Sequence, residues 1–302
     1  MQAPGWKRHG NDGQPPPGDD DRAMMICRTI EEVRAARTRH AALGFVPTMG
    51  FLHAGHLSLV RQARAACGAV AVSIFVNPTQ FGPGEDLSRY PRDLPRDLAL
   101  LEAEGVDLAF APAPEILYPA GFACSVEVGV LGRRLEGAVR PGHFNGMATV
   151  VLKLLNILQP SAVWFGQKDA QQCAIVRRMV ADFDLPCRVE IGETVREPDG
   201  LALSSRNIYL DPEERSIATT LFRALDAARQ AAFGGERDAE VLRRLIRDRV
   251  GQEPRLQLDY ARIADAATME ELRTITPEAL ALVAARLGRT RLLDNMRLMA
   301  PG

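Results

Sequence analysis

The sequence predicts a doubly wound α/β parallel sheet over residues 24–194, followed by a smaller α+β unit over residues 195–302. Three observations carry this expectation. Strand-sized apolar runs alternate with longer amphipathic segments after about residue 24. Strands flanked on both sides by helices pair in parallel and are covered on both faces. Beyond about residue 195 the texture changes to Arg- and Glu-rich helices followed by three alternating segments, the pattern of an α+β unit. Right-handed crossovers wind the helices of the first unit onto both faces, so ligands are expected at the carboxyl ends of its strands.

In chain order, residues 30–42 read as a helix and residues 43–48 (LGFVPT) as a short buried strand. Residues 55–66 are helical, and the β-branched run 70–76 (VAVSIFV) is a strand with no polar face. A helix over 94–104 leads into a strand over 107–111. The long apolar-striped helix at 142–158 precedes a strand at 162–165, a helix at 170–182 and a strand at 188–191. In the second unit, helices at 212–231 and 238–249 are followed by strands at 256–264, 280–285 and 290–294. Residues 1–23 (MQAPGWKRHGNDGQPPPGDDDRA) have no apolar core, which excludes a signal peptide. They read as a solvated, disordered tail, with Met24 or Met25 as the functional start.

A chain of 302 residues suits two domains of ordinary size, and 46% hydrophobic with 25% charged residues excludes a wholly disordered one. Lys and Arg total 37 against 38 Asp and Glu, a net charge of −1. That balance supplies no field for a nucleic-acid backbone, so any phosphate must be held by a few placed groups. No run approaches the roughly 20 apolar residues of a membrane span. The five cysteines (Cys27, Cys67, Cys124, Cys173, Cys187) are scattered and never spaced C-x-x-C. Reduced thiols in a cytoplasmic protein are the expectation.

The most informative stretch is Met49-Gly50-Phe51-Leu52-His53-Ala54-Gly55-His56, between a buried strand and a helix start. Backbone N–H groups and the helix dipole favour an anion there, and glycines allow close approach. His53 and His56 stand three apart, so both imidazoles can face one point. A lone histidine is usually a satisfied structural group; two in H-x-G-H at such a turn reverse that preference. H-x-G-H is the signature of the nucleotidyltransferase superfamily, whose members attack the α-phosphate of a nucleotide and release pyrophosphate. By itself it leaves cytidylyltransferases, coenzyme-forming adenylyltransferases and class I aminoacyl-tRNA synthetases open.

Later segments narrow the choice. Asn77 and Gln80 follow the second strand with amides suited to a small polyhydroxy acid, although Asn-Pro also starts ordinary turns. Residues 86–92 (DLSRYPR) and 140–144 (RPGHF) come next, the latter opening the apolar helix. Gly166-Gln167-Lys168-Asp169 again follows a strand, with Gln172 just beyond, and Ser204-Ser205-Arg206 stands near the junction of the units.

With this ordered set in view, residues 24–296 resemble the pantoate–β-alanine ligase family. The resemblance implies a Rossmann-like nucleotidyltransferase domain and a two-step reaction. ATP adenylates the pantoate carboxylate, and the β-alanine amine then displaces AMP to give pantothenate. Residues 49–56 match the family's ATP-binding loop, with His56 as catalytic histidine, proton donor and charge stabiliser, assisted by His53. Gly166, Gln167, Lys168 and Asp169 match a second ATP-binding segment, with Lys168 a mobile cation on the phosphates. Ser204, Ser205 and Arg206 match a third, suited to the departing phosphates. Val195 and Leu203 supply backbone contacts to adenine. Gln80 and Gln172 hold pantoate, with Asn77 beside them. Mg²⁺ is expected with ATP, Asp97 being a weak candidate ligand. The resemblance also implies a homodimer. Gln167 and Thr79 depart from the Glu and Met common in the family, and neither replaces a group with a chemical role. A non-catalytic nucleotide-binding protein on the same fold would need fewer of these groups together.

Overall fold

In the computed structural model, residues 23–299 are described, so nearly all of the expected tail lies outside them. Among the described residues, nine strands form two sheets. The first is six-stranded and parallel, built from β1 (Met25–Cys27), β2 (Gly44–Thr48), β3 (Val70–Ile74), β4 (Leu108–Phe110), β5 (Ala162–Gly166) and β6 (Arg188–Gly192). Its order is β1-β4-β3-β2-β5-β6. The chain leaves β2 outward through β3 and β4, then returns to β5 and β6 on the other side. The topological switch, where a doubly wound sheet places its ligand crevice, therefore lies between β2 and β5.

Register makes the crevice physical. β2 pairs with β3 at all five positions from Gly44 to Thr48, but with β5 only at Gly44 and Phe45. Beyond that point β2 and β5 part, and Pro47, which has no N–H to give a ladder, sits where they have separated. Helices α1 (Ile30–Arg37), α2 (Ala54–Cys67), α3 (Leu94–Ala103), α4 (Pro114–Leu117), α5 (Leu135–Val139), α6 (His143–Leu158) and α7 (Ala170–Asp182) complete the unit. One core gathers Phe45, Phe110, Leu155, Val163 and Ile175; on the other face Val46, Val60, Val72 and Leu101 pack together. Helix α1 ends sooner than the expected 42: the Arg37 guanidinium turns onto Leu158 O and Gln159 O, and Thr38 caps the helix.

The second sheet is antiparallel, in the order β7 (Leu256–Asp265), β8 (Ala279–Leu287), β9 (Thr290–Arg297). Helices α8 (Pro212–Phe233) and α9 (Ala239–Gly251) cover one face. There Leu225, Leu242 and Ile246 meet Ile263, Ala281, Val283 and Ala285. The alternate residues Leu280, Leu282 and Ala284 join Tyr260 in packing against Ala170 and Ala174 of α7. Burial on both faces explains why β8 reads as an unbroken apolar run (ALALVAARL). It also brings β9 against the turn that follows β5. All five cysteines are free, and no helix among the described residues is long and apolar enough to cross a membrane.

Candidate active site

The loop between β2 and α2 is shaped by partners outside it. The Thr48 hydroxyl donates to Ser73 O at 2.7 Å and accepts from Gly50 N at 3.2 Å. Gly50 has φ of 81°, where a side chain is strained, and Phe51 follows at φ 50°. Asp97 of α3 holds that backbone: Oδ2 accepts from Phe51 N at 2.7 Å and Oδ1 from Leu52 N at 2.8 Å. Arg96 lies 5.1 Å from the Phe51 ring centroid and donates to Leu52 O at 3.0 Å. With both oxygens accepting backbone N–H groups in a buried position, Asp97 braces the loop.

His53 caps α2, and a reciprocal pair of hydrogen bonds fixes both imidazoles. Gly55 N donates to His53 Nδ1 at 3.1 Å, and His53 N donates to His56 Nδ1 at 3.3 Å. Backbone N–H groups only donate, so each Nδ1 is an acceptor and each ring proton sits on Nε2. The ring centroids are 4.0 Å apart. Burial, then the nearby Lys168 ammonium, lowers the His53 pKa to about 4. His56 is held well below its usual value by burial, then by His53 and Lys168. Both rings are neutral at pH 7 and offer Nε2–H as hydrogen-bond donors.

Past β3, Asn77 caps a short 3₁₀ turn, Pro78–Gln80. Its Nδ2 donates to Gln80 Oε1 at 3.0 Å and Gly146 O at 3.1 Å; its Oδ1 accepts from Tyr118 OH at 2.8 Å. Asn77 is buried with its side-chain polar atoms paired, so it aims Gln80 from behind instead of meeting substrate. The Gln80 amide nitrogen stands 3.2 Å from Met49 Sδ. Arg140, ion-paired with Glu85, donates to His143 Nε2 at 3.0 Å, leaving Nδ1–H to donate to Gln80 O at 2.7 Å. Burial, then Arg140, lowers the His143 pKa to about 4.

Opposite, the turn Gln167–Asp169 follows β5, with Lys168 Nζ 3.9 Å from Asp169 Oδ1. On α7, Gln172 faces the cleft while Gln171 turns away to serve Glu136 N, Leu131 O and Arg134 O. Val195 and Leu203 oppose each other in a tight hairpin, Leu203 N donating to Val195 O at 3.0 Å. Ser204 caps the following 3₁₀ turn, and the Ser205 hydroxyl donates to Phe51 O at 3.1 Å. Arg206 Nε and Nη2 donate to Asp86 at 2.8 and 2.9 Å, over the Tyr90 ring. Arg206, expected at the phosphates, thus shares its guanidinium with a carboxylate and keeps Nη1 outside that pair.

One cleft at the switch point is lined by Met49, His53, Gly55, His56, Gln80, Gly166, Lys168, Asp169, Gln172, Val195, Leu203 and Ser204–Arg206. Gly50, Phe51, Leu52, Ala54, Asn77 and Gln167 stand behind its wall and shape it.

Residues 25–297 match the family model described as Pantoate-beta-alanine ligase. The chain belongs to the pantoate–β-alanine ligase family. The pantothenate synthetase of Roseiflexus castenholzii is 57% identical over 278 residues, covering 92% of this chain and 100% of that protein. That of Herpetosiphon aurantiacus is 56% identical over 274 residues, with 90% and 99% covered. Among solved structures, pantothenate synthetase from Thermus thermophilus superposes with a TM-score of 0.89 at 49% identity, covering 92% of this chain and 100% of that one. The ligase from Francisella tularensis, complexed with an ATP species and β-alanine, superposes at 0.76 with 35% identity, covering 93% and 100%. The ATP-dependent condensation of pantoate and β-alanine is the family's activity, and this chain is a ligase of that kind.

In this pantoate–β-alanine ligase, residues without a sequence-assigned role build the site's frame: Asp86, Tyr90, Arg140 and His143 all line the cleft or steady it. Arg140 and His143 could be found only as the unexplained RPGHF motif. The buried imidazoles give a pH signature. Unfolded histidines take a proton near pH 6.5, whereas His53 and His143 resist until about 4. Their contribution to stability is complete above about pH 6.5 and is lost as pH falls toward 4. The denaturation midpoint is therefore expected to drop between pH 7.5 and 5, with their ring NMR signals still those of neutral imidazole at pH 5.5. Ring signals titrating near 6.5 would contradict the assigned burial.

Proposed function

We propose that the cleft forms pantoyl adenylate from pantoate and ATP, releasing pyrophosphate, before β-alanine displaces AMP. The observation that carries this reading is the meeting of His53, His56 and Lys168 with the neutral amides of Gln80 and Gln172 in one cleft. Attack of the pantoate carboxylate on the α-phosphorus spreads charge over the phosphorus oxygens. Two fixed Nε2–H donors and an ammonium answer that charge without reorganising. Gln80 and Gln172 hold pantoate without a permanent cation that would dull its carboxylate. Val195 and Leu203 take adenine through their backbones; the Ser204 hydroxyl, the Ser205 N–H and Arg206 Nη1 receive the departing phosphates.

Mg²⁺ is expected to arrive with the nucleotide. Among the described residues no three of His, Cys, Asp or Glu gather to ligate a metal, and Asp97 is given over to the loop backbone. Phosphate and water ligands suit Mg²⁺, which neutralises phosphate charge when bound. The side chains of the cleft act on the nucleotide directly. On our reading the chain divides at residues 24–194 and 195–302, and the second unit closes over the adenylate to keep water out. A homodimer in the cytoplasm completes the proposal.

Pantoate-dependent exchange of labelled pyrophosphate into ATP, without β-alanine, tests the route. Exchange is expected. A strict requirement for β-alanine would replace the adenylate with a concerted reaction.

A further inference from the structure

The turn that carries Lys168 has no side-chain cap of its own at Gly166 or at the start of α7. Its backbone is held instead from the other unit. Asn295 of β9, buried, donates from Nδ2 to Gln167 O at 3.0 Å and to Lys168 O at 2.8 Å. Its Oδ1 accepts from Gln167 Nε2 at 3.1 Å, so the carboxamide brackets two successive peptides and every side-chain polar atom is paired. Asn295 is itself anchored. Its N–H donates to Asp294 Oδ1 at 2.7 Å, and Arg196 grips both oxygens of Asp294 at 2.6 and 2.9 Å. Arg196 Nη2 also reaches Asn295 O at 3.2 Å. Arg196 adjoins Val195 in the hairpin lining the cleft, so one continuous polar chain links that hairpin, β9 and the Lys168 turn.

We propose that Asn295 is a positioning residue for adenylate formation: by fixing the peptides of Gln167 and Lys168, β9 sets where the Lys168 ammonium enters the cleft. The inference rests on Lys168 acting at the phosphates, as proposed above. A fixed donor contributes to a transition state only while its backbone is held, and a displacement of about 1 Å can cost orders of magnitude in rate. The effect falls on turnover rather than on pantoate capture, because Gln80 is held from Asn77 and, through it, from Gly146 of α6, away from the Lys168 turn.

The test compares Asn295→Ala, Lys168→Ala and the double variant in the full chain, reading kcat, the KM values and thermal midpoint. Asn295→Ala is expected to lower kcat about tenfold with pantoate KM changed less than twofold. Added to Lys168→Ala, it is expected to cost less than about threefold more, because residues acting through one group are non-additive. Asn295→Asp, equal in size but lacking both donors, should repeat the kcat loss. A full tenfold loss on top of Lys168→Ala, wild-type kcat in Asn295→Ala, or collapse of the fold in both Asn295 variants overturns the proposal. Wild-type turnover of Lys168→Ala alone overturns the underlying role of Lys168 instead.

Discussion

His56→Ala is expected to lower kcat for pantothenate formation by roughly 10²-fold or more, the loss typical of a removed transition-state donor. At about 1.4 kcal/mol per factor of ten, that is roughly 3 kcal/mol. The structural cost is smaller: the substitution removes the acceptor for His53 N, a net hydrogen bond of about 1 kcal/mol. A loss of catalysis far exceeding the loss of stability therefore separates the two roles. Lys168→Ala is expected to behave alike, with little change in folding since its ion pair with Asp169 is long, at 3.9 Å. On the proposed route both act in the first step, so both variants should lose pyrophosphate exchange and overall synthesis in proportion. Neutral rings sharpen the expectation. His53 and His56 have their protons fixed on Nε2 by backbone donors to Nδ1, so kcat/KM should show no histidine limb near pH 6.5. Wild-type turnover in either variant would remove that residue from the chemistry.

What can be read from sequence follows how local the cause is. Strands β2, β3 and β5 are legible because burial on both faces leaves apolar runs. The H-x-G-H turn is legible because strand, glycine and helix start are contiguous. Strand β1 escapes because three residues carry no period, and it is a strand only because β4 lies beside it. Helix α1 reads too long in the sequence because Arg37 finds its carbonyls 121 residues away. The same division runs through the site. His53, His56, Gln80, Lys168 and Gln172 face the cleft as their motifs imply. Asn77, Asp97, Arg206 and Asn295 take their meaning from tertiary partners, and an amide or carboxylate in a sequence does not announce which way it will turn. Gln171 and Gln172 make the point most sharply: adjacent and identical, one supports Glu136 and the other faces the cleft.

Gly146→Ala is expected to lower kcat/KM for pantoate by about 10²-fold while leaving the KM for ATP near its original value. Helix propensity alone argues the opposite sense of effect on the protein, since Ala in a helix interior is favoured over Gly by about 1 kcal/mol. Packing decides against it. A Cβ on Gly146 would lie 2.2 Å from Thr79 O, 2.5 Å from Thr79 C and 2.8 Å from Gln80 N. These are backbone atoms of the turn that aims Gln80, and no rotamer change can move them aside. Relief requires α6 and the turn to separate by about 1 Å, a shift that costs about 10²-fold when it misplaces a reacting group. The same separation stretches the bond from Asn77 Nδ2 to Gly146 O, loosening the residue that orients Gln80. Overpacking of this kind costs about 1–3 kcal/mol, and contact with backbone puts it at the upper end, above the propensity gain. The thermal midpoint should therefore fall. A variant that is stabilised, or that keeps its kcat/KM for pantoate, would show that helix α6 does not fix the turn that carries Gln80.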